Sequence, residues 1–154
     1  MRVVLCRPAV RLFSAMRSEA TFNSTNGFHL PAPPGTPLPY FTSGEVVRGF
    51  GRGSREIGCP TANFSQAVVD DLPPSFATGI YFGWASINGG PVYKMVMSVG
   101  WNPYFKNQKK SMETHILHKF PDDFYGFQLY VGICGYLRPE MDFSTLGEKF
   151  FDLQ

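Results

Sequence analysis

The 154-residue chain has few charges: Asp, Glu, Lys and Arg together make 17% of it, and the formal net charge is only +2. Strong electrostatic capture of nucleic acid is therefore not expected, since that binding scales with the number of phosphates neutralised. Apolar runs stop at about five residues, far short of the roughly 20 that span a bilayer as a helix, so membrane insertion is not expected. The three cysteines, Cys6, Cys59 and Cys134, are scattered and odd in number. They offer neither a disulfide framework nor C-x-x-C zinc spacing and fit a reducing compartment. No heptad pattern or internal repeat is present. What the chain does have is 16 glycines, 13 prolines and 15 phenylalanines, with aromatics at 16%. Glycine and proline at this level work against a helical bundle, and the aromatics can fill a core.

The first twenty residues carry Arg2, Arg7, Arg11 and Arg17 and no acid before Glu19. This is the composition of a mitochondrial transit segment, or of a plain N-terminal extension. Pro31 to Pro39 has five prolines in nine residues, which favours extended chain and reads as a tether. We take residues 1–38 as an extension and 39–154 as the folded domain. Within it the pattern is of short strands bounded by turn residues: Glu45–Phe50, Gly79–Ile87, Pro91–Gly100, Glu113–Phe120 and Phe127–Leu137. Asn88-Gly89-Gly90 is a strong hairpin signal, because those residues accept positive φ. Antiparallel strands at this spacing imply an all-β fold that closes into a small barrel.

Four segments can carry chemistry. Arg48 to Asn63 holds Gly49, Gly51, Gly53 and Gly58 with Arg52 and Arg55 among them. Glycines let backbone N–H groups converge on an anion, so the segment reads as a phosphate cradle or as a glycine-rich turn of a β protein. It lacks the G-K-[ST] of a P-loop. Thr61 and Asn63 follow two apart, so an extended chain aims both side chains the same way. A hydroxyl and an amide oxygen suit Mg²⁺ that already carries phosphate oxygens. In Ser111 to His118, a strand puts Glu113 and His115 on one face. Glu113 reads as a general base for an alcohol or as a rim partner of Lys109 or Lys110. The loop from Gly100 to Asn107, with Trp101, Tyr104 and Phe105, is able to wall a flat ring or to form a core corner. Tyr136 to Phe143 offers Arg138 for a phosphate and Phe143 as a ring cover, or a solvated strand end.

Taken in order, these segments resemble the riboflavin kinase (flavokinase) family, eukaryotic monofunctional type. The matching stretches are G-x-G-x-G-x-x-x-x-G-x-P-T-A-N at 49–63, TGIYFGWA at 78–85, SVGWNPY at 98–104, SMETH at 111–115, DFYG at 123–126 and GYLRPE at 135–140. The resemblance implies a six-stranded antiparallel Greek-key barrel that transfers the γ-phosphate of ATP to riboflavin, giving FMN and ADP. It implies Mg²⁺ or another divalent ion such as Zn²⁺, held at Thr61 and Asn63. It also implies ATP contacts at Gly49, Arg55, Thr61, Asn63, Ile116, His118 and Tyr125, a base at Glu113, and flavin contacts at Arg138, Met141 and Phe143. Riboflavin and ATP are then the partners, and a cytoplasmic monomer is expected, with a mitochondrial address as the alternative. The family usually continues past Leu146 into a long helix, whereas here Gly147 to Gln154 reads as a truncated C-terminus with that helix short or missing. A catalytically impaired flavin-binding or adaptor isoform is the competing reading. A barrel that binds single-stranded nucleic acid through its aromatics is a third.

Overall fold

The computed structural model describes residues 31–49, 59–101, 106 and 108–141. Its elements are β1 (Tyr40–Val47), β2 (Ala62–Phe64), α1 (Gln66–Asp70), β3 (Gly79–Ile87), β4 (Val92–Trp101), β5 (Lys110–Ile116) and β6 (Gln128–Arg138). All pairings are antiparallel, and the strand order β1-β2-β5-β4-β3-β6 closes on itself through β1 and β6. β3, β4 and β5 form a meander and β6 returns beside β3, which is the Greek-key arrangement. The expected six-stranded all-β barrel is therefore the fold observed.

Alternation decides which side chains enter the barrel. Met95, Met97 and Val99 of β4, Met112, Thr114 and Ile116 of β5, and Leu129, Val131 and Ile133 of β6 point inward and are buried. A chain of rings runs through the core from Tyr40 to Phe76, Tyr81 and Tyr136, with successive centroids 5.2, 5.2 and 5.3 Å apart. The β3–β4 turn has Asn88 at φ 50° and Gly89 at φ 71°, and Gly90 N–H donates to Ile87 O at 2.9 Å. Positive φ at both central positions gives the primed turn whose twist suits a hairpin.

β4 and β6 lie within one residue of expectation, whereas β1 and β5 differ at both ends. β1 begins at Tyr40, five residues before Glu45, because Tyr40 to Glu45 pair in register with Ile133 to Gln128. It ends at Val47, short of the expected Phe50. β5 spans Lys110–Ile116 rather than Glu113–Phe120: His118 N–H donates to Ile116 O at 2.8 Å, turning the chain out of the sheet. The proline-rich stretch is not a detached tether, since Ala32 near its start and Leu38 near its end pack against the core. The Arg-rich N-terminus and the C-terminal segment after Met141 lie outside the described residues.

Candidate functional site

The opposite parity of β5 supplies the site. Glu113 and His115 point outward, between the inward Met112, Thr114 and Ile116. On one side the register sets Asn63 of β2 against Glu113. On the other it sets Ser98 of β4 against Glu113. Continuing the row, Ser98 pairs with Ile80 of β3, and Ile80 with Arg138 of β6. Directly opposed side chains on one face stand about 5 Å apart, so Asn63, Glu113 and Ser98 are contiguous.

Asn63 is half-buried, like Thr61, while Ala62 between them is buried. Both outward side chains thus share a face, as extended chain requires. Asn63 Nδ2 donates a long 3.4 Å bond to Thr61 O, which turns Oδ1 away as the acceptor. Gly49 comes against this amide: a Cβ there would stand 2.9 Å from Asn63 Cγ. Gly49 is not in the left-handed region, so the glycine is needed for close approach. His115 Nδ1 lies 2.8 Å from Pro60 O and pins the Pro-Thr-Ala-Asn segment to β5. This positioning role has no signal in the sequence beyond a histidine two residues after Glu113.

Toward the C-terminal end of β5 the surface becomes aromatic. His118 stacks on Tyr93, with centroids 4.1 Å apart and planes 20° off parallel. Phe120 meets both edge-on at 4.7 and 5.6 Å, and Phe124 meets Phe120 at 4.8 Å. The Arg48 guanidinium sits 4.6 Å over the Tyr125 ring, a cation–π contact. Gly126 N–H donates to Val46 O at 2.9 Å, tying this turn to the end of β1. Tyr125 is thereby held beside the start of the glycine segment. Ile116 is different: only 5% exposed, its side chain belongs to the core, which leaves its backbone as the part that could meet a ligand.

On the other flank, burial pulls the Arg138 guanidinium below its usual range, and the nearby Tyr136 phenol opposes that shift. An arginine stays charged at neutral pH regardless. Its Nη1 donates to Pro139 O at 2.8 Å. Met141 is largely exposed. The two lysines considered as partners of Glu113 have other contacts. Lys109 Nζ is 3.8 Å from Asp70. Lys110 Nζ donates to Phe76 O and lies 5.5 Å from the Trp101 ring centroid, and burial lowers its pKa. Arg52, Arg55, Gly51, Gly53, Gly58, Tyr104, Phe105 and Phe143 lie outside the described residues. No helix of the described residues is long and apolar enough to cross a membrane.

The site therefore has two flanks with Glu113 between them: glycine, hydroxyl and amide groups with the Tyr125 ring toward β1 and β2, and the Arg138 segment beyond β4 and β3. Comparison with known proteins agrees. The profile of the Flavokinase family, described as riboflavin kinase, matches residues 36–148. A human riboflavin kinase is 65% identical over 109 residues, covering 71% of this chain and 70% of its own length. Among solved structures, a Trypanosoma brucei riboflavin kinase superposes with a TM-score of 0.55 at 24% identity, over 73% of this chain and 71% of that one, and so shares the fold. A Streptococcus pneumoniae protein described as a macrolide-efflux protein superposes with a TM-score of 0.61 at 31% identity, over 75% of this chain and 36% of that one. The strand order, the row through Asn63, Glu113 and Ser98, and these matches together place the chain in the riboflavin kinase family.

Proposed function

We propose that this chain phosphorylates riboflavin, moving the γ-phosphoryl group of ATP to the 5′-hydroxyl and releasing FMN and ADP. The observation that carries the reading is the position of Glu113, between the Asn63 flank and the Ser98 flank of one continuous surface row. Phosphoryl transfer depends on positioning and charge neutralisation more than on covalent chemistry with the protein. The 5′-oxygen forms its bond to the γ-phosphorus as the bond to the bridging ADP oxygen breaks, and the hydroxyl proton passes to the Glu113 carboxylate. Gly49, Thr61 and Asn63 hold the phosphate end, with Arg55 adding positive charge in this reading. His118 and Tyr125 flank the nucleotide, Ile116 meets it through backbone, and Arg138, Met141 and Phe143 take the flavin.

The donor set fits a divalent ion that arrives with the nucleotide. Among the described residues no group of three or more His, Cys, Asp or Glu is placed to hold a metal. Thr61 hydroxyl and Asn63 Oδ1 are hard, neutral oxygens, which suits Mg²⁺ sharing its sphere with phosphates and water better than it suits Zn²⁺. Such an ion neutralises charge on the transferring phosphoryl group.

Nothing in the fold or the matches favours the adaptor reading, and the net charge of +2 gives little support to nucleic-acid binding. The test is direct. Purified chain, riboflavin, ATP and Mg²⁺ are incubated and FMN is followed by fluorescence after chromatography. FMN that appears only with ATP supports the reading, and riboflavin binding without turnover overturns it. Tagged full-length chain followed in cells tests the proposed cytoplasmic location against the mitochondrial one.

A further inference from the structure

Glu140 stands just beyond β6 but reaches back over β4. A Cβ on Gly100 would stand 2.7 Å from Glu140 Cδ and closer still to Oε1. Gly100 is a buried strand residue outside the left-handed region, so its lack of a side chain serves to make room for this carboxylate. Ser98 Oγ, two residues earlier on the same face, donates to Glu140 Oε1 at 3.4 Å. Ser98 is in turn the β4 partner of Glu113. Fold and register thus bring a second carboxylate over the strand next to the proposed base, on the flank that leads to Arg138. Arg138 Nη1 closes onto Pro139 O, fixing the backbone from which Glu140 departs.

We propose that Glu140 is a further substrate-binding residue, accepting hydrogen bonds from hydroxyls of the ribityl chain that carries the reacting alcohol. The inference rests on the riboflavin reading above and adds a polyol contact to it. A carboxylate is an acceptor-only group and polyol hydroxyls are donors, and a bond from hydroxyl to carboxylate is charge-assisted. A flexible chain held at one end by the ring alone leaves its terminal oxygen to wander. A second anchor next to Glu113 restricts that oxygen to positions from which the proton can be taken. Ser98 and Gly100 then act as positioning residues, one by a hydrogen bond and the other by leaving space.

The test compares riboflavin with lumiflavin, the same ring bearing a methyl group in place of the polyol. In full-length Glu140→Gln, which keeps an acceptor oxygen but removes its charge, the KM for riboflavin is expected to rise roughly five- to tenfold, the loss of charge assistance in one hydrogen bond. The KM for ATP and the inhibition constant of lumiflavin stay within twofold of wild type. Gly100→Ala, which displaces the carboxylate without removing it, reproduces the selective loss. A riboflavin KM that stays within twofold, or a lumiflavin constant that rises in parallel, overturns the proposal. If wild-type chain makes no FMN, the kinase reading fails by itself. Flavin-fluorescence titration of riboflavin against lumiflavin then still decides the role of Glu140.

Discussion

Asn63 and Glu113 face each other as direct register partners across the β2–β5 pair, both aimed away from the core. A neutral amide oxygen and a carboxylate are thereby held side by side by backbone hydrogen bonds rather than by a loop. Sites built on strands keep their geometry better than sites built on loops. The core residues behind them, Ala62 and Thr114, are themselves register partners, so the spacing of the two outward groups is set from inside the barrel.

Glu113→Gln keeps the shape and removes the proton acceptor. Turnover is expected to fall by ~10²–10⁴-fold, the usual contribution of a positioned base, while riboflavin binding followed by flavin fluorescence stays close to wild type. Near-normal kcat in this variant would remove Glu113 from the mechanism.

Gly49→Ala tests the cradle. A methyl group at this position runs into the Asn63 amide, 2.9 Å from its Cγ, and must displace it. The Mg²⁺ concentration needed for half-maximal rate is expected to rise several-fold, with the thermal midpoint nearly unchanged because Gly49 carries no positive φ. Asn63→Ala should show the same metal dependence. An unchanged Mg²⁺ requirement in both variants would mean that the cation is held elsewhere.

Thr114 lies behind Glu113 in the core, fully buried, and its Oγ1 has no hydrogen-bond partner among the described residues. A buried hydroxyl without a partner costs free energy that an apolar group of the same shape does not. Thr114→Val is therefore expected to stabilise the barrel by about 1 kcal/mol and to leave FMN production intact. Chemical denaturation with wild type alongside gives the sign, and a loss of stability would show that the hydroxyl is satisfied.

Much of this was legible in the residues. The hairpin of β3 and β4 follows from clean alternation and from Asn88-Gly89, whose positive φ the turn requires. Parity on an extended chain is fixed, so the sequence shows that Thr61 shares a face with Asn63 and Glu113 with His115, but only the burial of Ala62, Met112, Thr114 and Ile116 shows that this face is the outer one. β2 has no strand signature in the sequence, since three residues are too few to show a period. β1 starts five residues ahead of the expected segment, because its pairing with β6 is a long-range fact with no local signature. In β6 the register shifts opposite Ile80/Tyr81 and Phe82/Gly83 break the parity, so the inward Tyr136 does not continue the series from Leu129 to Ile133. Glu140 was invisible as a site residue for the same reason: its meeting with Ser98 and Gly100 joins segments about forty residues apart.

The tyrosines of the core set an alkaline limit. Tyr81 is fully buried and its hydroxyl donates to Ala77 O at 2.6 Å. Burial, followed by the neighbouring Tyr136 phenol, pushes its pKa up to about 12 from an ordinary 10.0. Burial raises Tyr40 and Tyr136 as well. A group with a raised folded-state pKa holds its proton in the native chain after the unfolded chain has lost it. Its contribution to stability is complete below pH 10 and falls as pH climbs toward 12. Burial raises the Cys134 thiol too, from an ordinary 9.0, so the unfolding midpoint in urea is expected to decline gently above about pH 9 and to drop more steeply above 10. Tyr81→Phe should lower stability at pH 8 by roughly 1 kcal/mol through the lost hydrogen bond, and should flatten the alkaline drop. A Tyr81→Phe profile parallel to wild type between pH 10 and 12 would show that Tyr81 does not govern the alkaline transition.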